Sequence, residues 1–506
     1  TVKMLVLALG LLSLSEHAQA AEDVKRVDWQ PWSEAAFERA RREHRLVLLD
    51  LEAVWCHWCH VMDERTYGDP RVAAILRERY VALKVDQDAQ PDVSKRYEDW
   101  GWPATIVFAP DGTELAKRQG YIPPEAMAAL LEAFVESPMP GPSVKPEAEP
   151  SWAAVGELPA SLEAELARLH VKEYDAKQGG WGFGHKYVDS ESVEYALARA
   201  IAGDRTARRR ARQTLTAGLA LLDPVWGGVY QYSTGGVWNE PHFEKIVSVQ
   251  AANMRVYAFG WHVLRDPAYL RAAREIRRYL SAFLRSPEGA YYVSQDADLV
   301  PGEHAASYFA LSDAARRRRG VPRVDMHVYA RENGWVIEAL VALHEAGDPG
   351  ALDDARRAAE WVLAHRALDG GGFAHGEARA ETPDGGPYLG DTLAMGRAFR
   401  ALHAVTKERV WLERAEAAAR FIGARLRCEG APGFASSGAE TRAKRPPRDE
   451  NALLARFAAE LSRETRDPAF RALARESMRV VATPEVARRP PVGPVLLADL
   501  ETRPGR

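Results

Sequence analysis

Cysteine is nearly absent from this chain, with three in 506 residues. Cys428 stands far from the other two, so no framework of structural disulfides is available, even in an oxidising compartment. Cys56 and Cys59 are therefore a local device. Charge of one sign is also scarce. The net charge of -4 implies no broad basic face and no nucleic-acid partner. The arginine runs Arg208–Arg210 and Arg316–Arg319 read as solvated helix faces. Long apolar runs are missing as well. Met4 to Leu14 is shorter than the ~20 residues that cross a bilayer, so no stable membrane span is expected. With Lys3 before it and Ala18-Gln19-Ala20 after it, residues 1–20 read as a signal peptide. That places the protein in the periplasm or outside the cell, and in the cytoplasm if the segment is not one.

What is present is a soluble, globular composition, 46 % apolar and 27 % charged, in a chain too long for one core. Residues 24–137 alternate helix and strand signals. Ser33 caps a helix from Glu34 to about His44, and Leu46–Leu51 is a short apolar run that suits a buried strand. A helix over Val72–Glu78, strands Tyr80–Val85 and Thr105–Phe108, the turn Ala109-Pro110-Asp111-Gly112 and a helix over Glu125–Val135 complete an α/β unit with a central sheet. Residues 138–150 are a proline-rich linker. From 151 to 506 the pattern is helical, over 191–202, 207–222, 246–264, 269–284, 333–346, 390–405, 412–426 and 450–464. Glycine turns followed by aromatics punctuate it, as in Gly179-Gly180-Trp181 and Gly227-Gly228-Val229-Tyr230. Helical hairpins of this kind bury their apolar faces only by packing side by side. An all-α (α/α)6 toroid is expected, with an open helical solenoid as the alternative.

The string Trp55-Cys56-His57-Trp58-Cys59-His60 follows the first strand and opens a helix. Unpaired N–H groups and partial positive charge at a helix start stabilise a thiolate. Cys56 is then the exposed nucleophile and Cys59 the resolving thiol. Trp55 covers the sulfur, and His57 adds charge or a hydrogen bond that favours the dithiol. Asp50, six residues upstream, is placed to take the proton of Cys59. Pro103, in Gly101-Trp102-Pro103, is expected to be cis and to bring backbone beside the sulfurs. The same string satisfies the haem attachment pattern Cys-x-x-Cys-His, with His60 as axial ligand, and offers two cysteines and two histidines to zinc. The α/β frame and the proline argue against haem, and the lack of a second ligand pair argues against zinc. No cofactor and no metal are expected.

Trp55 to Met62, then Val85-Asp86, Pro91-Asp92, Gly101 to Thr105, Pro110-Asp111-Gly112, Trp238, Pro241 to Lys245 and Gln295 to Asp298, resemble the two-domain family of DsbH-like thioredoxins related to spermatogenesis-associated protein 20. The resemblance runs from about 24 to 460. It implies a thioredoxin-like domain followed by a toroid of the six-hairpin glycosidase type, similar to sugar 2-epimerases and unsaturated glucuronyl hydrolases. The chain departs from the family at Gly184-His185-Lys186-Tyr187, Gln87 to Gln90 and Leu389-Gly390-Asp391-Thr392.

In the toroid, Trp238, His242, Glu244, Asp296, Asp298 and Asp391 stand near loops or helix starts. Aromatic platforms and carboxylates suit sugar stacking and general acid–base transfer. The same residues equally serve as caps, inter-hairpin core and buried hydrogen-bond networks. With Trp55 and Trp102 they are the candidate ligand-binding set. Two functions follow. One is a thiol–disulfide oxidoreductase whose toroid holds a client protein or a sugar-like ligand. The other is a carbohydrate-active or sugar-binding protein with a regulatory thioredoxin domain.

Overall fold

A computed structural model describes residues 27–145, 148–377, 386–438 and 446–503. The segment read as a signal peptide lies outside them. The chain divides into two compact units, the first running to Glu147 and including Val300–His304, the second holding the remainder.

The first unit is built on a mixed five-stranded sheet in the order β1-β3-β2-β4-β5. Its strands are β1 (Trp29–Gln30), β2 (Leu46–Glu52), β3 (Tyr80–Asp86), β4 (Ala104–Phe108) and β5 (Glu114–Gln119). β2 and β3 run parallel, while β4 is antiparallel to both β2 and β5. Its helices are α1 (Glu34–Glu43), α2 (His57–Met62), α3 (Pro70–Arg79), α4 (Pro91–Tyr97) and α5 (Pro124–Glu136). Val47, Leu49 and Leu51 pack with Phe37, Ile106 and Phe108 in one core, whereas Leu46 and Leu48 pack with Met62, Leu76 and Leu131 in another. Both faces of the sheet are covered, so the strand reads as a continuous apolar run. The period-2 alternation then puts Asp50 and Glu52 on the Leu46–Leu48 face. β1, β5 and α4 carry no strong apolar pattern, and the sequence did not announce them.

Among the described residues of the second unit, with three short helices at 306–309, 313–319 and 484–487 between them, twelve long helices pack as six hairpins. They are α6 (Ala160–Lys172), α7 (Ser190–Ile201), α8 (Arg205–Gly218), α9 (Val247–Leu264), α10 (Pro267–Tyr279), α11 (Ala330–Glu345), α12 (Gly350–His365), α13 (Leu389–Thr406), α14 (Arg409–Arg425), α15 (Arg448–Thr465), α16 (Pro468–Val481) and α17 (Gly493–Thr502). α7, α9, α11, α13, α15 and α17 contact one another in that order, and α17 returns to α7. That ring is closed. The toroid is therefore correct and the open solenoid is not. Each inner helix carries one outer partner, and the last inner helix, α17, takes the first helix of the unit, α6. Leu158, Leu162 and Leu166 pack there with Leu496, Leu497 and Ala498, so the two ends of the unit close the ring between them. The tight turns between inner and outer helices have a chemical signature. Asp266-Pro267 and Asp467-Pro468 each supply a capping carboxylate and a proline at the first helical position.

Five outer helices end in the glycine loops. Antiparallel bridges close them at Tyr174–Trp181, Leu222–Val229, Arg285–Tyr291, Ala367–Phe373 and Arg427–Phe434. Gly227 shows why glycine stands there. Its φ is +75°, and a Cβ on it would lie 2.5 Å from the Glu275 carbonyl oxygen of α10. Buried amides at the starts of the inner helices clamp these loops. Gln250, Asn333 and Asn451 each donate to and accept from the backbone of Val229, Tyr291 and Phe434 respectively.

One expectation fails here. Arg316 is no solvated helix residue. Its guanidinium is fully buried, pairs with both oxygens of Asp223 at 2.6 and 3.1 Å, and lies over the rings of Trp226 and Phe309. Asp223 also holds the buried Lys245 ammonium at 2.7 Å. Arg317 and Arg318 remain exposed.

Candidate functional site

Cys56 is the N-cap residue of α2, and its sulfur accepts the Cys59 N–H at 3.2 Å. The two cysteines form a disulfide with a Cα separation of 5.2 Å. Cys56 is 5 % exposed and Cys59 2 %, so Cys56 is not the exposed member of the pair in this oxidised form. Trp55 is buried and donates its indole N–H to Asp88 at 2.8 Å. It also meets Trp102 edge-on at 6.1 Å. Asp88 belongs to the Gln87–Gln90 string that departs from the family pattern, and it anchors the tryptophan. The Trp102–Pro103 peptide is cis. His60 directs Nε2 at the Val54 carbonyl at 3.0 Å. His57 lies edge-on to Trp58, whose ring is 44 % exposed between the two cysteines.

Asp50 does not stand alone. Lys84 is its register partner on β3, and its ammonium lies 3.1 Å from Asp50, 2.8 Å from Glu52 and 2.6 Å from Asp63. Burial pushes the Asp50 carboxyl up, against the pull of Lys84. Burial likewise raises Glu52 to about 7, with Asp50 and Asp63 adding to it and Lys84 opposing. One ammonium thus faces three carboxylates, and Asp50 keeps a buried oxygen, Oδ1, without a hydrogen-bond partner among the described residues. Sequence reasoning found Asp50 and missed Lys84, Glu52 and Asp63. The available signal was a charge interrupting each of two otherwise apolar strands.

The toroid candidates scatter into different roles. Trp238 is buried, donates its N–H to the Gln178 carbonyl and packs on Gly180 and Gly218. It is core. His242 stacks on Tyr232 at 4.5 Å and lies 3.9 Å from Glu244. Asp296 accepts the Asp298 N–H at 2.9 Å, and both are buried. Asp391, on the first turn of α13, accepts the Arg331 N–H at 2.8 Å and holds His375 through Nδ1 at 2.9 Å. Asp391 raises the His375 pKa against the opposing effect of burial. His375 stacks on Tyr329 at 4.1 Å, and on a parallel plane to Tyr329 lies His327, whose Nδ1 is 2.5 Å from Asp325. His375, Tyr329, His327 and Asp325 escaped the sequence reading. Asp325, His327 and Tyr329 sit at alternate positions in one short segment, a pattern too brief to stand out.

Residues 14–136 match the family model Thioredox_DsbH, described as a protein of unknown function, DUF255. The first unit is a DsbH-type thioredoxin domain. Human spermatogenesis-associated protein 20 is 28 % identical over 309 residues, 54 % of this chain and 39 % of that protein. An uncharacterized Caenorhabditis elegans protein, B0495.5, is 25 % identical over 315 residues, 56 % of this chain and 43 % of its own length. The matched stretch thus covers less than half of these relatives. The thioredoxin domain is also similar to the thiol:disulfide interchange protein DsbD 1 of Pseudomonas aeruginosa, 39 % identical over 85 residues, 16 % of this chain and 14 % of that protein. Among solved structures, cellobiose 2-epimerase from Spirochaeta thermophila covers 68 % of this chain and 96 % of its own at 15 % identity, with a TM-score of 0.49. Among the described residues no helix is long and apolar enough to cross a membrane.

Proposed function

We propose that the protein is a thiol–disulfide oxidoreductase acting through Cys56 and Cys59 on a client protein. The observation that carries the reading is a disulfide at the start of α2, on a strand–helix frame that also holds a buried carboxyl with an unpartnered oxygen. A client thiolate attacks the Cys56 sulfur, the Cys56–Cys59 bond breaks, and Cys59 leaves as a thiolate that takes a proton from Asp50. A second client thiolate attacks the client sulfur of the mixed disulfide and releases Cys56, so the client is oxidised and the pair reduced. The reverse sequence reduces a client disulfide. Trp58, exposed between the cysteines, is the contact a client meets first. Equilibration against glutathione buffers tests this, with trapping of Cys56 by a thiol reagent. A reversible two-electron transition that is lost in Cys56→Ser supports it. A pair that glutathione neither reduces nor reoxidises, or a Cys56 that stays inert once reduced, removes it.

The toroid favours a second reading, a carbohydrate-active site with the thioredoxin domain as regulator. Its support is the two histidines, His375 and His327, each held through Nδ1 by an aspartate, an arrangement that suits acid–base transfer. Turnover of neutral sugars, lost in His375→Gln, is its test. No turnover across a panel of mono- and disaccharides removes it.

A further inference from the structure

The second unit carries a two-stranded ladder of β6 (Tyr232–Ser233) with β7 (Pro241–His242) and a small antiparallel sheet that joins β8 (Lys245–Ile246), β9 (Ser294–Gln295) and β10 (Val324–Asp325). The register sets Lys245, Gln295 and Val324 in one row and Ile246, Ser294 and Asp325 in the next. Side chains of adjacent rows point to opposite faces. The first row is satisfied. Lys245 meets Asp223 and the Gly227 carbonyl, and Gln295 accepts from the Tyr279 hydroxyl.

The second row is not satisfied. Among the described residues Ser294 Oγ and Asp325 Oδ2 are buried without a hydrogen-bond partner, and so is Oε2 of Glu244, directly before β8, which has His242 Nδ1 3.9 Å away. These residues are 1 %, 4 % and 3 % exposed respectively. Folded proteins pair such atoms almost always, because each one left bare costs free energy. Two of them in one row of this small sheet and a third at its edge, on strands whose other row is paired, point to a place where a ligand supplies the partners. Two of the three atoms are carboxylate oxygens and only accept, while the serine hydroxyl both donates and accepts. The missing partner is therefore rich in donors. Aromatic rings stand beside them. Tyr232 and His242 stack next to Glu244, and His327 and Tyr329 stack next to Asp325. Ring surfaces combined with bare acceptors fit a ring carrying many hydroxyls better than a bare cation, because Glu244 and Asp325 belong to none of the ligand clusters among the described residues that are tight enough to hold one.

We propose that Glu244, Ser294 and Asp325, on one face of this sheet, form a binding site for a neutral polyhydroxylated small molecule, a monosaccharide, disaccharide or cyclic polyol. The inference deepens the second reading above without requiring catalysis.

Titration calorimetry on the full chain is the test, with glucose, mannose, cellobiose and myo-inositol as probes and CaCl2, MgCl2 and ZnCl2 in separate runs. At least one polyol binds, and Glu244→Gln and Asp325→Asn weaken that binding tenfold or more. Ser294→Ala weakens it severalfold with an unchanged or higher melting temperature, since the hydroxyl it removes has no partner in the folded protein. That last result separates a ligand-facing serine from a structural one, and it guards against variants that merely misfold. No binding by any polyol, binding indifferent to Glu244→Gln and Ser294→Ala, or binding of a divalent cation only would overturn the proposal. A sugar that binds through these residues without turnover leaves it standing and removes the catalytic reading alone. Turnover indifferent to the same substitutions does the reverse.

Discussion

The two units bury charge in opposite ways. In the thioredoxin domain one ammonium, Lys84, serves Asp50, Glu52 and Asp63. In the toroid the inner helices bring opposite charges together in equal number. Arg255, Glu338, Arg397, Arg456 and Glu501 each stand at the ninth residue of their helix. Arg456 binds Glu194 and Glu501 at 2.8 Å each, Arg255 binds Glu194 at 2.7 Å, and Arg397 binds Glu338 at 2.6 Å. Burial alone would raise the Glu338 carboxyl, yet Arg397 and Arg255 outweigh it and hold it at about 2. Glu194 is held low in the same way by Arg255 and Arg456. A balanced buried network keeps its charges and acts as structure. An unbalanced one holds a proton near neutrality, which is what proton transfer to a thiol requires.

The largest effect expected from this contrast is on the ring. Arg456→Met takes their shared cation from the buried Glu194 and the half-buried Glu501, leaves Glu194 only Arg255, and should cost about 3 kcal/mol of toroid stability, read by denaturant unfolding. The Cys56–Cys59 potential should not move. A variant as stable as the parent would show that the ring is not structural. Gly227→Ala follows, at about 2 kcal/mol or more, because it demands a left-handed φ of a non-glycine residue and drives a methyl into the Glu275 carbonyl.

Lys84→Met is expected to cost about 1–3 kcal/mol at pH 7 and less at pH 5, because its carboxylate partners escape by protonation. It should also slow thiol exchange and shift its pH profile upward, which a purely structural lysine would not do. An equal loss at both pH values would contradict a protonatable cluster.

The smallest effect is the pH dependence itself, and its sign differs between the units. Glu52 has a folded pKa of about 7 against an ordinary 4.5. The folded state binds more protons between those values, so the thioredoxin domain loses stability as pH rises through that window. Glu52→Gln should flatten the slope. Glu338 shifts the other way, from 4.5 to about 2. The stability it contributes is complete above pH 4.5 and is lost as pH falls toward 2, a slope that Glu338→Gln should remove. Unfolding followed separately in the two units between pH 3 and 8 checks both signs.

Much of this was legible in one dimension. Strands β2, β3 and β4 announce themselves as short apolar runs, and the cysteine string locates the Cys56–Cys59 disulfide, as Gly101-Trp102-Pro103 locates the cis proline. The inner helices α7, α9, α11, α13 and α15 show themselves as long helical patterns. Several outer helices, such as α12 and α16, stayed hidden because they are only half apolar, and α6 and α17 because they make one hairpin from opposite ends of the unit. Arg316 was misread for a related reason. Four consecutive arginines look solvated, and nothing local says that the first of them turns inward to Asp223, 93 residues away.

Local chemistry in the sequence alone thus determined the thioredoxin class of the first unit, its paired cysteines and the helical hairpin character of the second. Those properties depend on neighbours in the chain, on period and on turn residues. Tertiary structure decided which charges share a site. Lys84 reaches Asp50 only through parallel pairing of β2 with β3, and Ser294 joins Asp325 only through the register of β9 with β10. The ring of Arg456 and Glu194 forms only because the toroid closes. Each joins residues that the chain itself keeps apart, so spacing along the sequence carries no trace of them.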